Sequence, residues 1–401
     1  MLWHARTVSH GLIGFALACS PSRASADSSA PMDTTTASAL APVGPPPDAL
    51  RRSLGLSSRY TKHVDAGGIP VLASSGVDDA ALREARYLIL QMIGHRPDVL
   101  RAIASQRMRF VVMAPSEMTT DVPEHADLTP KSYWDRRARG LGATAARPAT
   151  SCGEENLVEL PGDPYSTENI LVHEFGHTVQ QMGMSALDPT FDRRLDAAFA
   201  HARATGLWKG TYAGTNAQEY WAEATQSWFD TNRVNDNEHG PIDTRDKLIP
   251  YDPDIVVLLR EAYGDRPWRY MKPSHRPASD RAHLAGFDAR KAGSFKWPAD
   301  LPALGQPTAS RAVSLLGTSA LPSRSPQTTE RSTLLVTNHR KSDIALDWLD
   351  FAGGRKRYAV IRPGTTASQS TYAGHVWIVS EAGRDLGGAA APAGDAQLDL
   401  R

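Results

Sequence analysis

Apolar residues recur along this chain with two different periods, and the change from one to the other divides it. Between residues 77 and 93, Leu82, Ala85, Leu88 and Met92 fall on one side of a helix. Met108–Met113, MRFVVM, is a short continuous apolar run and predicts a buried strand. Asn156–Leu160 predicts another short strand, one that could border a cleft and template an extended peptide. In Ser166–Gly183, STENILVHEFGHTVQQMG, Leu171, Phe175 and Val179 recur at i, i+4 and i+8 and predict a helix. Ser166 fits its N-cap, Glu168 its first turn and Gly183 its stop. A second helix begins at Thr215 or Asn216, where Thr215 and Gln218 have capping-box spacing. Trp221, Ala222, Trp228 and Phe229 make that helix largely buried. A third runs to Tyr263, with Asp254 as its cap. Beyond residue 330 the period shortens. STLLVTN, IALDWLDF, KRYAVI, QSTY and HVWIVSEA are strand-like, with AGG and RPGT as turns between them. The expected fold class is α+β: a mainly helical domain followed by a small all-β sandwich.

Residues 1–26 resemble an export signal. Arg6 marks the charged start, Gly11–Ala18 the short apolar core, and Ala24-Ser25-Ala26 the cleavage site. The apolar run is too short to span a membrane. Cys19 follows Ala16-Leu17-Ala18, an alternative lipoprotein site, although the usual Leu three residues before it is absent. Residues 27–48 read as a tether ending in GPPP. The main domain is expected over 49–285, a linker over 286–330 and the β module over 331–401. The polar stretch 114–149 with SYWDRRARGLGAT fits a substrate-facing loop or a surface excursion equally well.

With 44 basic and 44 acidic side chains, the charge balance favours neither nucleic acid nor an anionic membrane as partner. Once the signal leaves, Cys152 is the single cysteine, so no internal disulfide can form.

The histidine-bearing helix carries the chemistry. His173 and His177 are four apart and stand one above the other on a single face. Glu174 lies about 100° round the helix. Two imidazoles suit one divalent ion, and the carboxylate suits proton transfer with a water. A third histidine at the H-x-x-G-x-x-H spacing is excluded, because Gln180 and Gly183 hold those positions. Downstream, Glu219 and Glu223 share a helix face and repel unless a cation sits beside them. Glu219 fits a direct zinc ligand, and Glu223 an acceptor for the free ring N–H of a ligand histidine.

HEFGH followed by Tyr212, Thr215-Asn216 and Glu219-Tyr220-Trp221-Ala222-Glu223 resembles the lethal-factor-like zinc metallopeptidases, a Glu-ligated, zincin-type family. The resemblance covers the two helices and the approach to the second. It implies His173, His177 and Glu219 as zinc ligands, Glu174 as general base, and Tyr212 as a hydroxyl facing the reacting oxygen. From Asn338 to Ile378 the chain resembles the von Hippel–Lindau β-domain, through WLDF-x-G, Tyr358, PGT and TY-x-GHVWI. That likeness implies a hydroxyproline-reading pocket of Trp348, Tyr358, Thr371, Tyr372, His375 and Trp377. Thr371 stands where that family has Ser. Aromatic residues on sandwich strands also serve as ordinary core.

These readings together describe an exported zinc metallopeptidase acting on peptides, proline- or hydroxyproline-rich ones among them. Two rivals follow from the same residues. One is a catalytically silent, zinc-containing binding protein whose sandwich recognises the peptide. The other is a metal-dependent hydrolase of non-peptide amides.

Overall fold

Leu72, Val111 and Ser151 stand in register across three neighbouring strands. They belong to a five-stranded sheet of β1 (Lys62–Ala66), β2 (Ile69–Ala73), β3 (Arg109–Met113), β4 (Gly140–Leu141) and β5 (Ala149–Gly153), in the order β1-β2-β3-β5-β4. The inner strands are parallel and both edges antiparallel. Gly67 and Gly68 join β1 to β2 with φ of 69° and 94°, which side chains with a Cβ rarely adopt. MRFVVM is continuously apolar because both faces of β3 are covered. Phe110 and Val112 enter the main core, while Val111 and Met113 enter a smaller cluster with Tyr60 and Val122.

The computed structural model describes residues 41–236, 238–299, 301, 312–328 and 331–401. The export signal, its cleavage site and Cys19 lie outside these residues. No helix among the described residues is long and apolar enough to cross a membrane.

Helices cover the sheet largely where the periodicity places them. The first long one is Asp79–Ile93, capped by Asp78, whose carboxylate accepts from Ala80 N at 2.8 Å. The histidine helix is Ile170–Thr178, and its cap is Asn169 rather than Ser166. Glu168 therefore precedes the helix and is buried. Gly183 does not stop it either. The chain winds on through a π-helical turn, Val179–Met184. Gly183 is needed for packing, since a Cβ there would lie 2.8 Å from Val99 Cγ1. The glutamate helix is Ala217–Trp228, capped by Asn216. The helix Pro253–Tyr263 is capped by Asp252 instead of Asp254, because Pro253 fits the first helical position.

Asn156–Leu160 is not a strand; Glu154–Leu157 is a helical turn. Asn156 ties down the loop ahead of the histidine helix. Its Nδ2 donates to the carbonyls of Tyr165 and Glu168 at 3.0 Å, and its Oδ1 accepts from Ile170 N at 2.7 Å. The strand at the sheet's edge beside that helix is β4.

The domain limits also move. Gly44 pairs with His63, so ordered chain reaches into the expected tether. Within the expected linker, Phe295 is buried and its N–H bonds Pro161 O at 2.9 Å.

The C-terminal module comprises β6 (Ala312–Val313), β7 (Arg331–Asn338), β8 (Ile344–Leu349), β9 (Arg355–Ile361), β10 (Thr366–Tyr372), β11 (Val376–Glu381), β12 (Arg384–Ala390) and β13 (Gly394–Leu400). They form two four-stranded sheets, β10-β7-β13-β6 and β12-β11-β8-β9. Leu334, Val336, Leu346, Trp377, Val379 and Leu398 share their core. Three strands, β6, β12 and β13, go beyond the five that the pattern predicts. The module also begins before residue 331: β6 pairs with β13, and Ser325 Oγ accepts from Val376 N at 2.9 Å.

Candidate metal centre

The two helices pack closely where the histidine helix carries Gly176. A Cβ at Gly176 would stand 3.3 Å from Thr225 Cγ2, and Trp221 Nε1 donates to Gly176 O at 2.9 Å. This close approach sets Glu219 opposite the histidines. His173 Nε2 and His177 Nε2 lie 3.2 and 3.4 Å from the same oxygen, Glu219 Oε2. A tetrahedron with metal–ligand bonds of about 2.0–2.1 Å has edges of about 3.3 Å, so both nitrogen–oxygen edges have the spacing of ligands around one ion, and the three ligand atoms lie within 4.8 Å of one another.

The electrostatics fit a cation as well. Burial works to lower the pKa of His173, yet the Glu219 bond and the charges of Glu174, Glu219 and Glu223 push it up to about 10. Burial alone would raise the Glu219 carboxyl. The charge of His177 and the bonds to both imidazoles hold it well below the usual range. Three carboxylates thus create a negative potential that a divalent ion can satisfy in place of protons.

Outside these ligand atoms the arrangement differs from expectation. His173 Nδ1 donates to Gln226 Oε1 at 2.9 Å, while Glu223 Oε1 is 3.5 Å away. Gln226 Nε2 in turn donates to Glu168 Oε2 at 2.9 Å, and Glu168 faces Arg233 at 2.9 Å. A carboxylate only accepts, so Glu168 fixes the amide orientation and the amide fixes the imidazole tautomer. Glu223 instead lies between His173 and His239, 3.5 Å from His239 Nε2, and accepts from Asn232 Nδ2 at 3.2 Å.

Glu174 lines the cleft, and its carboxylate has no hydrogen-bond partner among the described residues. Gly140 of β4 lets the sheet edge come close, since a Cβ there would lie 3.1 Å from Glu174 Cγ. Tyr212 opens a short 3-10 turn, its ring stacked over His173 with centroids 6.3 Å apart. Burial and the Glu219 charge push its phenol well up, so the hydroxyl keeps its proton. Arg137 Nη2 approaches that hydroxyl at 3.5 Å. Neither Gln226 nor Arg137 was singled out by sequence. Gln226 could have been found as the third position of a polar i, i+4, i+7 stripe with Glu219 and Glu223.

The cleft is a cavity of about 1570 Å³. His173, Glu174, Tyr212 and Glu219 form part of its wall, and Tyr358, Thr371 and Tyr372 of the C-terminal module form another part. All six aromatic-pocket candidates in that module meet in one cluster. Trp348 lies 5.3 Å from the ring of His375 and 6.0 Å from Tyr358. Tyr358 lies 5.1 Å from Trp377, and Tyr372 lies 5.3 Å from His375. Trp377 Nε1 donates to Thr371 Oγ1 at 3.1 Å, which leaves the threonine proton free to donate. Trp348 Nε1 and His375 Nε2 are buried and without a hydrogen-bond partner among the described residues. Cys152 is buried in β5 and burial pushes its thiol well up, away from reactivity.

The family model described as VHL beta domain matches residues 323–390. Its start agrees with the early beginning of the module in the fold. No curated protein matches the chain.

Proposed function

We propose that the chain is an exported zinc-dependent peptidase of the lethal-factor-like, Glu-ligated kind, with its VHL-like module serving substrate binding. The observation that carries this reading is the convergence of both histidine Nε2 atoms on one Glu219 oxygen, inside a cleft that also presents Glu174 and Tyr212. His173, His177 and Glu219 would hold the ion. Zinc bound there would act as a Lewis acid toward the scissile carbonyl and lower the pKa of the attacking water.

The chain's own groups divide the remaining work. Glu174, free of other bonds, accepts the proton of the attacking water and returns it to the leaving nitrogen. Tyr212 accepts from Arg137 while its own O–H bonds Glu219; turned from Glu219 toward the substrate, that O–H can donate to the oxygen that gains charge as the carbonyl becomes tetrahedral. Gln226 holds His173 with its Nε2 lone pair toward the ligand cluster. β4, the terminal strand of its sheet and beside Glu174, suits pairing with an extended peptide.

The test is cleavage mapping on a proteome-derived peptide library, with and without chelator, alongside Glu174→Gln. Cleavage that depends on metal and on Glu174 supports the reading. Cleavage of small amides but of no peptide would favour the non-peptide amide hydrolase.

A second reading rests on the unpartnered Trp348 Nε1 and His375 Nε2. Buried polar groups without partners suit a ligand that supplies them. In this reading the module binds proline- or hydroxyproline-containing peptides and the zinc helix is catalytically silent. A metal-loaded chain that binds such peptides and cleaves none would favour it.

A further inference from the structure

Six arginines line the cleft, with different partners; Arg136 lies over the Trp297 ring, 4.6 Å from its centroid. Arg139 is held by Glu155, with Nε–Oε1 and Nη2–Oε2 at 2.6 and 3.0 Å. Arg147 meets Asp127 at 3.0 Å, and Arg233 meets Glu168 at 2.9 Å. Arg137 has no carboxylate within ion-pair distance among the described residues. Its side chain makes one long hydrogen bond, 3.5 Å to Tyr212 Oη, and its guanidinium lies 5.8 Å from the Trp134 ring. It closes the helix Lys131–Arg137 and is half-buried, with its head lining the cavity beside Tyr212. A guanidinium offers five donors in a planar fork, and a single one of them has a side-chain partner here among the described residues, Tyr212 Oη.

We propose that Arg137 is a specificity residue that anchors a carboxylate of the substrate next to the scissile bond. The inference rests on the peptidase reading of this site. Glu219 and Glu174 are the nearest acids in charge terms, yet Glu219 is engaged by both imidazoles and Glu174 is needed for proton transfer. A divalent ion bound there would offset the charges of Glu219 and Glu174 that the guanidinium faces, leaving it less well balanced in a partly desolvated wall. A carboxylate is the planar acceptor that matches the fork with two bonds. It can come from an Asp or Glu side chain or from a free C-terminus, and the geometry beside Tyr212 places it within about one residue of the reacting carbonyl.

The test uses the full chain and four short N-acetylated peptides of one sequence. They carry Glu or Gln at the positions flanking the cleaved bond, each with a free or an amidated C-terminus. The expected kcat/KM favours the carboxylate-bearing peptides on the order of 10–100-fold, mainly through KM. Arg137→Ala should reduce that ratio to near one, and Arg137→Lys should retain part of it. The Glu/Gln and acid/amide pairs show which carboxylate is read. A wild-type ratio near one, or a ratio unchanged in Arg137→Ala, overturns the proposal. Calorimetry of the same peptides against the zinc-loaded Glu174→Gln chain, which keeps the metal and does not turn over, separates the two readings. Carboxylate-selective, Arg137-dependent binding without cleavage in the metal-loaded chain sinks the peptidase and leaves the anchor standing. Equal affinity for acid and amide, or binding of neither, removes the anchor.

Discussion

His173 Nδ1 donates to Gln226 Oε1 across 2.9 Å, and this bond decides which nitrogen of the ring is left for a metal. With the proton on Nδ1, the Nε2 lone pair points at the Glu219 cluster. The orientation traces back through Gln226 to Glu168 and Arg233, none of which touches the ligand atoms.

Gln226→Leu should therefore weaken zinc affinity by roughly 10–100-fold while leaving the helix folded. Glu223→Gln should cost less, because the Glu223 carboxylate stands 3.5 Å from the same ring nitrogen. Chelator-competition titrations measure both. An ordering with Glu223→Gln the weaker binder would return the orienting role to Glu223.

Metal content gives a second expectation. The wild-type chain should carry about one zinc, and His173→Ala, His177→Ala and Glu219→Ala should each lose it after dialysis. Elemental analysis with circular dichroism separates loss of metal from loss of fold. Full occupancy in Glu219→Ala would take that residue out of the ligand set.

The roles of Glu174 and Tyr212 predict different kinetics. Glu174→Gln should keep zinc and fold and lose nearly all turnover, since an amide cannot accept the proton. Tyr212→Phe should lower kcat by roughly 10²–10³-fold with little change in KM, the signature of a bond made in the transition state. A change confined to KM would contradict the oxyanion role.

Acid stability should depend on His125. It is buried against Ser151 Oγ at 3.1 Å, and burial pushes its imidazole down from 6.5 to about 4. Between those values the unfolded chain binds this proton and the folded chain does not. Folding stability therefore falls as pH drops from about 6.5 to about 4, by up to about 3 kcal/mol from this group. Urea midpoints should show that slope in the wild type and a flatter one in His125→Gln. Parallel slopes would show that other groups dominate.

The proposed pocket of the C-terminal module predicts selectivity for 4-hydroxyproline. Thr371 keeps a proton to donate and His375 Nε2 has no partner among the described residues, so a ring hydroxyl can bond to both. Calorimetry of the full chain with matched proline and hydroxyproline peptides should favour hydroxyproline by at least about 10-fold, lost in His375→Ala. Equal affinities would leave the six residues as a core cluster.

The sequence by itself determined whatever short-range geometry controls. A four-residue spacing stacks His173 over His177 in any α-helix, and MRFVVM reads as buried because a continuous apolar run has no solvent face to offer. The strand-and-turn rhythm beyond residue 330 likewise follows from alternation and glycine turns. Tertiary structure alone decided the partners. Asn169 displaced Ser166 as the cap because the loop before it is tied to Asn156. Gln226 displaced Glu223 at His173 because two helices meet at Gly176 and Thr225, at a distance set by their packing. Arg137, in a stretch with no readable period, reached Tyr212 only when the chain between them folded back. Periodicity is local bonding repeated, whereas the choice of a partner 53 residues away depends on how well the intervening chain packs.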